Sequence, residues 1–308
     1  MSNPWDPDRT LTREVAADAI AACFPTMETR DLTLLGSGWE FDAWLTRDGW
    51  IVRFPRRAGM DELLAPERRV HQLVRPVLPP GIEVPLVEHV GQTPDRFPYR
   101  IAAHRFIHGI PADEVDQTFL PHLAAQLGEA LGAIHSITEP RARAAGVLEM
   151  DYDEEGQREW FALPLEVLSA LGGRDPVVDQ AVRWARQVDL PTSYEGELSF
   201  IHHDLSPDHV LVDPGSGRLT GILDWTDAIL GDAARDFVFL VAWGGWDYAE
   251  EVLKHYPRVI DAGFRSRLDF MARLLTVAWL GYAHVRGTEV EKLTGWLHNA
   301  FERPQFAT

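Results

Sequence analysis

The sequence predicts an α+β protein of two lobes: an antiparallel sheet with one key helix, then a mainly helical lobe that carries a β-hairpin. Three observations lead there. Residues 32–54 alternate short apolar runs with glycine-bearing turns, the pattern of a β-meander. Residues 118–136 set Leu120, Leu123, Leu127, Leu131 and Ile134 on one stripe at helical spacing. Residues 201–225, IHHDLSPDHVLVDPGSGRLTGILDW, place two strand-like segments around the turn formers Asp213-Pro214-Gly215-Ser216-Gly217.

Taken in order, Val15, Ala19, Ile20 and Cys23 predict a helix over 12–23 that Phe24-Pro25 ends. Strands follow at 32–35, 39–45 and 50–54, separated by Gly36-Ser37-Gly38 and by Asp48-Gly49. The next helix, 60–78, has Leu64, Val70, Leu73, Val74 and Val77 on one face and Pro66 at an early position. Pro79-Pro80-Gly81 breaks it, and strands are expected at 84–90 and 99–106 around a surface turn at 94–98. The first lobe is taken as 1–105 and the second as 106–308, with a hinge near 102–108. Helices are then predicted at 118–136, 176–188, 237–243, 248–256, 265–285 and 288–301, with His135 a structural helix-end residue. Antiparallel pairing of the hairpin sets His209 beside Asp224, with Asp204 one short loop away.

Composition narrows the function. A chain of 308 residues with 45% hydrophobic and 25% charged residues is an ordinary globular protein. The start, MSNPWDPDRT, has no basic region followed by an apolar run, and no stretch approaches the roughly 18 to 20 apolar residues of a membrane span. A cytoplasmic protein without a membrane partner is expected, and the single Cys23 agrees with a reducing compartment. A net charge of −18 argues against nucleic acid and favours a cationic small molecule. Only Lys254 and Lys292 are lysines, so the first lobe has none.

Phosphoryl transfer needs a carboxylate to orient and deprotonate a hydroxyl, and ligands that hold Mg²⁺ against nucleotide phosphates. Asp204 suits the first role, His209 and Asp224 the second. The pattern H-x-D-x-x-x-x-H followed by G-x-L-D-W resembles the catalytic and metal loops of the aminoglycoside and macrolide phosphotransferases, antibiotic-modifying relatives of protein kinases. Protein kinases carry H-R-D-x-x-x-x-N and D-F-G, so the chain departs from them at both places. His209 in the asparagine position resembles the macrolide and 2''-aminoglycoside kinases, and Trp225-Thr226-Asp227-Ala228 resembles the macrolide branch.

The resemblance implies a bilobal, protein-kinase-like fold and transfer of the γ-phosphate of GTP or ATP, with Mg²⁺, to a hydroxyl of a macrolide or aminoglycoside. Gly36, Ser37 and Gly38 would cover the phosphates, although a plain hairpin uses such glycines too. Arg53, paired with Glu67, would replace the family lysine, with Arg56 or Arg57 as alternatives. Ala103, His104 and Arg105 would meet the base through backbone hydrogen bonds. Asp236 would brace the catalytic loop, and His202 would support it.

Acceptor candidates are Asp227, Asp232 and, in the acidic run 151–159, Asp153 and Glu154; such a run also suits a solvated face. Trp243, Trp246 and Trp279 are core residues or, facing the cleft, a preference for a large apolar macrolide. Imidazole is unusual for Mg²⁺, so His209 binds it directly, through water, or serves to orient Asp204. Kinases of another hydroxyl-bearing molecule (a sugar, an amino alcohol, choline) and a catalytically inactive nucleotide-binding scaffold are the alternatives. Whether the chain is a monomer or a dimer is not set by the sequence.

Overall fold

The computed structural model describes residues 7–302. Thr12 starts α1 (Arg13–Cys23), its hydroxyl accepting the Val15 N–H at 3.3 Å. The meander forms β1 (Thr33–Ser37), β2 (Phe41–Leu45) and β3 (Trp50–Pro55). With β4 (His89–Thr93) and β5 (Phe97–Arg105) it makes an antiparallel sheet of order β1-β2-β3-β5-β4. Ala16, Ala19 and Ile20 of α1 pack with Trp44, Val52, Phe54 and Ile101 as one core.

Two expectations need correction here. The helix of 60–78 is a 3₁₀ turn, Met60–Leu63, followed by α2 (Leu64–Val74), because Pro76 has no N–H to continue the ladder. No strand spans 84–90. Pro85 cannot donate there, and the preceding Glu83 pairs instead with the hairpin, its N–H on the Thr220 carbonyl at 2.9 Å and its carbonyl accepting from Ile222 at 3.0 Å. Leu64 of α2 packs with Phe41 and Ala102 near the sheet, whereas Val70 and Val74 join the helical core.

The second lobe contains β6 (Ile110–Pro111), α3 (Leu120–His135), α4 (Glu139–Ala144), α5 (Glu154–Ala170), α6 (Pro176–Ala185), β7 (Ser199–Ile201), β8 (Val210–Val212), β9 (Leu219–Ile222) and β10 (Ile229–Gly231). It ends in α7 (Val238–Lys254), α8 (Phe264–Arg286) and α9 (Val290–Phe301). Leu123, Leu127, Leu131 and Ile134 of the α3 stripe are fully buried. Close approach of α3 to the end of α7 needs its glycines, since a Cβ at Gly132 would stand 2.3 Å from Pro257 Cδ. The helices predicted at 237–243 and 248–256 are two limbs of α7, bent at Gly245 (φ 78°, ψ 174°). The acidic run 151–159 opens α5, a helix the pattern did not predict.

Candidate active site

β7 delivers the chain to His202, His203 and Asp204, and Asp236 holds this loop from beneath. Its Oδ2 accepts the His202 N–H at 2.8 Å and its Oδ1 the His203 N–H at 2.7 Å. Oδ2 also stands 3.0 Å from His135 Nε2, whose Nδ1 is 2.7 Å from the Tyr256 hydroxyl. Asp236 and His135 are buried, so these bonds are strong and costly to lose. Against a desolvation that would raise it, His135 and the loop N–H groups keep the Asp236 carboxyl below its usual range. The network supports left-handed backbone at His203 (φ 73°) and Asp224 (φ 54°), which costs on the order of 1–3 kcal/mol per residue.

The hairpin then closes as its register requires, with the Leu223 N–H on the His209 carbonyl at 2.8 Å. His209 Nδ1–H donates to the Asp204 carbonyl at 2.8 Å, which turns Nε2 toward Asp224. That nitrogen is 3.6 Å from Asp224 Oδ2, and Nδ1 is 3.6 Å from Asp204 Oδ2. His202 ties the two halves together by donating Nε2–H to the Leu223 carbonyl at 2.8 Å. Desolvation would raise Asp224, yet His209 and Arg53 hold it below the ordinary carboxylate range. His209 Nε2 and Asp224 Oδ2 can flank one cation; among the described residues no group of three potential ligands converges. The Asp224 carboxylate suits Mg²⁺, which takes most of its oxygens from phosphates and water, whereas the His209 imidazole is the unusual member of the pair.

In the first lobe, Arg53 Nη1 of β3 lies 2.6 Å from both Glu67 carboxylate oxygens, and its guanidinium covers the Phe41 ring at 4.3 Å. Glu67 is buried, with His71 Nε2 3.7 Å from it. Burial, then Arg53, push His71 down to about 3, so it is neutral. Arg53 acts on Asp224 and Glu40. Arg56 and Arg57 reach the glycine-bearing turn: Arg56 Nη1 donates to the Gly38 carbonyl, and Arg57 Nη2 to the Trp39 carbonyl at 3.4 Å.

The turn itself closes through the Gly38 N–H on the Phe41 carbonyl at 2.9 Å. Neither Gly36 nor Gly38 has positive φ, and a Cβ at Gly36 would meet nothing within 4 Å. Bare backbone there faces open space, beside Ser37 at the end of the exposed β1. In β5 the Ala103 carbonyl accepts from Glu88 at 2.9 Å, and the Arg105 carbonyl accepts from His104 Nδ1–H at 2.9 Å. These two carbonyls are thus engaged within the protein, and burial followed by Arg53 pushes His104 down to about 4.

Below the turn opens a cavity of about 620 Å³. Asp204, Asp224 and Asp227 line it, and its walls include Trp39, Trp160, Phe239, Trp279, Tyr282 and Trp296. Trp279, Tyr282, Ala283 and Arg286 come from one face of α8; Glu289, Lys292, Leu293 and Trp296 come from the start of α9 and its facing side. Phe239 stacks on Trp279 at 4.4 Å between ring centroids. Partial desolvation and the neighbouring Asp204 and Asp224 push Asp227 upward, though its side chain keeps an open face to solvent. Arg235 is buried within the field of Asp204, Asp236 and Asp227, and desolvation lowers it. A second concavity, of about 550 Å³ around Arg30 and Arg47, shares no residue with this cleft.

Other acceptor candidates go elsewhere. Asp232 is buried, with Arg267 Nε 2.5 Å from its Oδ2, and its Oδ1 accepts the Ala234 N–H at 3.0 Å. Asp153 caps α5, accepting from Glu155 at 3.2 Å and Gly156 at 3.1 Å; the Glu154 side chain lies outside the described ones. Trp246 is core and Trp243 packs on Tyr248 at 5.1 Å, while Trp279 lines the cavity. Glu40 and the other aromatic walls were not anticipated. The only signal for them was helical spacing: Trp279, Tyr282 and Arg286 share a face.

The APH model of the phosphotransferase enzyme family matches residues 31–268. A GDP complex of aminoglycoside 2'-phosphotransferase-IIIa superposes with a TM-score of 0.70 at 21% identity, covering 94% of this chain and 98% of that one. Macrolide 2'-phosphotransferase MphH from Brachybacterium faecium gives 0.61 at 21% identity, covering 96% and 99%. The uncharacterized protein YcbJ of Bacillus subtilis (strain 168) is 26% identical over 249 residues, 76% of this chain and 77% of YcbJ. The chain belongs to the APH phosphotransferase enzyme family, with its protein-kinase-like fold, and is a small-molecule kinase.

Proposed function

We propose that the protein transfers the γ-phosphate of GTP or ATP to a hydroxyl of a macrolide or aminoglycoside, and so confers resistance to it. The observation that carries this reading is that Asp204 and Asp224 line an aromatic-walled cleft, each with a carboxylate oxygen 3.6 Å from a ring nitrogen of His209, while Arg53, paired with Glu67, acts on Asp224. Asp204, more than a third exposed at 37%, orients the acceptor hydroxyl and takes its proton. His209 and Asp224 would hold Mg²⁺, which when bound would neutralise charge on the nucleotide phosphates. Arg53, fixed by Glu67, meets the phosphates beneath Gly36, Ser37 and Gly38, and the lobes meet at a hinge near 102–108. Asp227 faces the acceptor.

Six aromatic side chains with carboxylates between them suit an amphiphilic acceptor that carries one amine, which favours a macrolide over a polyamine sugar. The same walls suit a second reading, a kinase of a small cationic alcohol such as choline. Nucleoside diphosphate release with Mg²⁺ decides, offering GTP and ATP separately against macrolides, aminoglycosides and choline. Release that requires a macrolide and disappears in Asp204→Asn is expected. Release driven by choline alone establishes the second reading, and release that survives Asp204→Asn removes Asp204 from its role.

A further inference from the structure

We propose that the turn between β1 and β2 serves both substrates: its glycine backbone covers the nucleotide, while Trp39 and Glu40 are specificity-determining residues of the acceptor site. This rests on the phosphotransfer reading above.

Trp39 and Glu40 follow Gly38 directly, yet both line the cavity that contains Asp204 and Asp227. Trp39 reaches across the cleft. The Arg286 guanidinium, on the last residue of α8, lies 4.8 Å from the centroid of its ring, so the turn touches the far wall of the acceptor cavity. The indole remains 47% exposed and lines the cavity. The Trp39 carbonyl accepts from Arg57 Nη2 at 3.4 Å.

Glu40 is half-buried beside Trp39. It lines the cavity together with Asp204, Asp224 and Asp227, which places it toward the reacting corner. A carboxylate in that lining suits a cationic nitrogen beside the reacting hydroxyl, and the neighbouring indole covers that nitrogen's apolar substituents. Because the same turn carries the phosphate cover, an acceptor that engages Trp39 and Glu40 holds the cover down, and each substrate tightens the other by the same factor.

The test uses the full chain carrying Asp204→Asn, so that both substrates bind without turnover. Binding of GTP, ATP, erythromycin, kanamycin and choline is measured by calorimetry, each nucleotide with and without each acceptor probe. In this parent, an acceptor probe is expected to tighten nucleotide about fivefold or more. Adding Glu40→Gln or Trp39→Ala should weaken that probe about tenfold, cut the coupling to near unity, and affect nucleotide measured alone less than the probe. Trp39→Phe should restore much of both, which a misfolded turn would not. Unchanged probe affinity and coupling in the variants, with probes still bound by the parent, overturn this inference and leave the proposed function standing. Failure of the parent to bind any probe, with nucleotide still bound, overturns the acceptor class and this inference together.

Discussion

The catalytic loop and the glycine-bearing turn line the same cleft, but one is fastened from within and the other at its rim. Asp236 gives both carboxylate oxygens to loop N–H groups, and its Oδ2 also meets His135. The turn hangs from β1, exposed along its length, and its carbonyls are held by half-buried arginines. Groups that react are therefore set in advance, as electrostatic catalysis requires, while the wall that covers substrates can adjust.

Breaking the fastened wall should have the largest effects. Asp204→Asn should lower kcat about 10³-fold with nucleotide affinity nearly unchanged; a drop of less than tenfold would mean that the loop's rigidity is not in the service of this carboxylate. Asp236→Ala strands two buried N–H groups and the His135 ring, so a loss of about 3–5 kcal/mol is expected, seen as a fall in Tm of roughly 10 °C. A Tm within about 2 °C of the parent would show that the loop holds itself.

The same contrast explains what could be read in the sequence. His209 and Asp224 flank one hairpin, whose register sets them side by side with Asp204 one short loop away, and the apolar stripe of α3 needs only local periodicity. Partners distant in sequence were not legible. Asp232 has the residue type of an amine ligand, but Arg267, 35 residues later, takes it. The run 84–90 has strand-like composition, but Glu83 pairs with β9, whose arrival composition does not announce. The cavity walls come from residues as far apart as Trp39 and Trp296, which only the tertiary fold assembles.

Intermediate effects should appear on the nucleotide wall. Glu67→Gln leaves the Arg53 guanidinium facing a neutral amide, and a roughly tenfold rise in nucleotide KM is expected with little change in acceptor KM. Equal rises in both would place Arg53 between the substrates. Acid should weaken both walls. His71, His104 and His203 are pushed down to about 3, 4 and 3, chiefly by burial, from an ordinary 6.5. Between pH 6.5 and about 4 the unfolded chain binds protons that the folded chain refuses, so stability is full above that window and falls as pH is lowered through it. The slope is at most about 1.4 kcal/mol per pH unit for each histidine. Denaturant midpoints at pH 7 and 5 check this, and His104→Leu should flatten the slope by about one histidine's share.

The smallest effect on stability should come from the turn, and it separates fold from function most cleanly. Gly36 lacks positive φ, and a Cβ there would meet nothing within 4 Å, so Gly36→Ala should shift stability by less than about 0.5 kcal/mol. If that open space is kept for phosphate, the added methyl enters it, and nucleotide KM should rise several-fold while Tm stays put. A Tm that falls with unchanged KM would mean that glycine is there for the strand. No change in either would take Gly36 out of the nucleotide site and leave the cover to Ser37 and Gly38, whose N–H closes the turn on the Phe41 carbonyl.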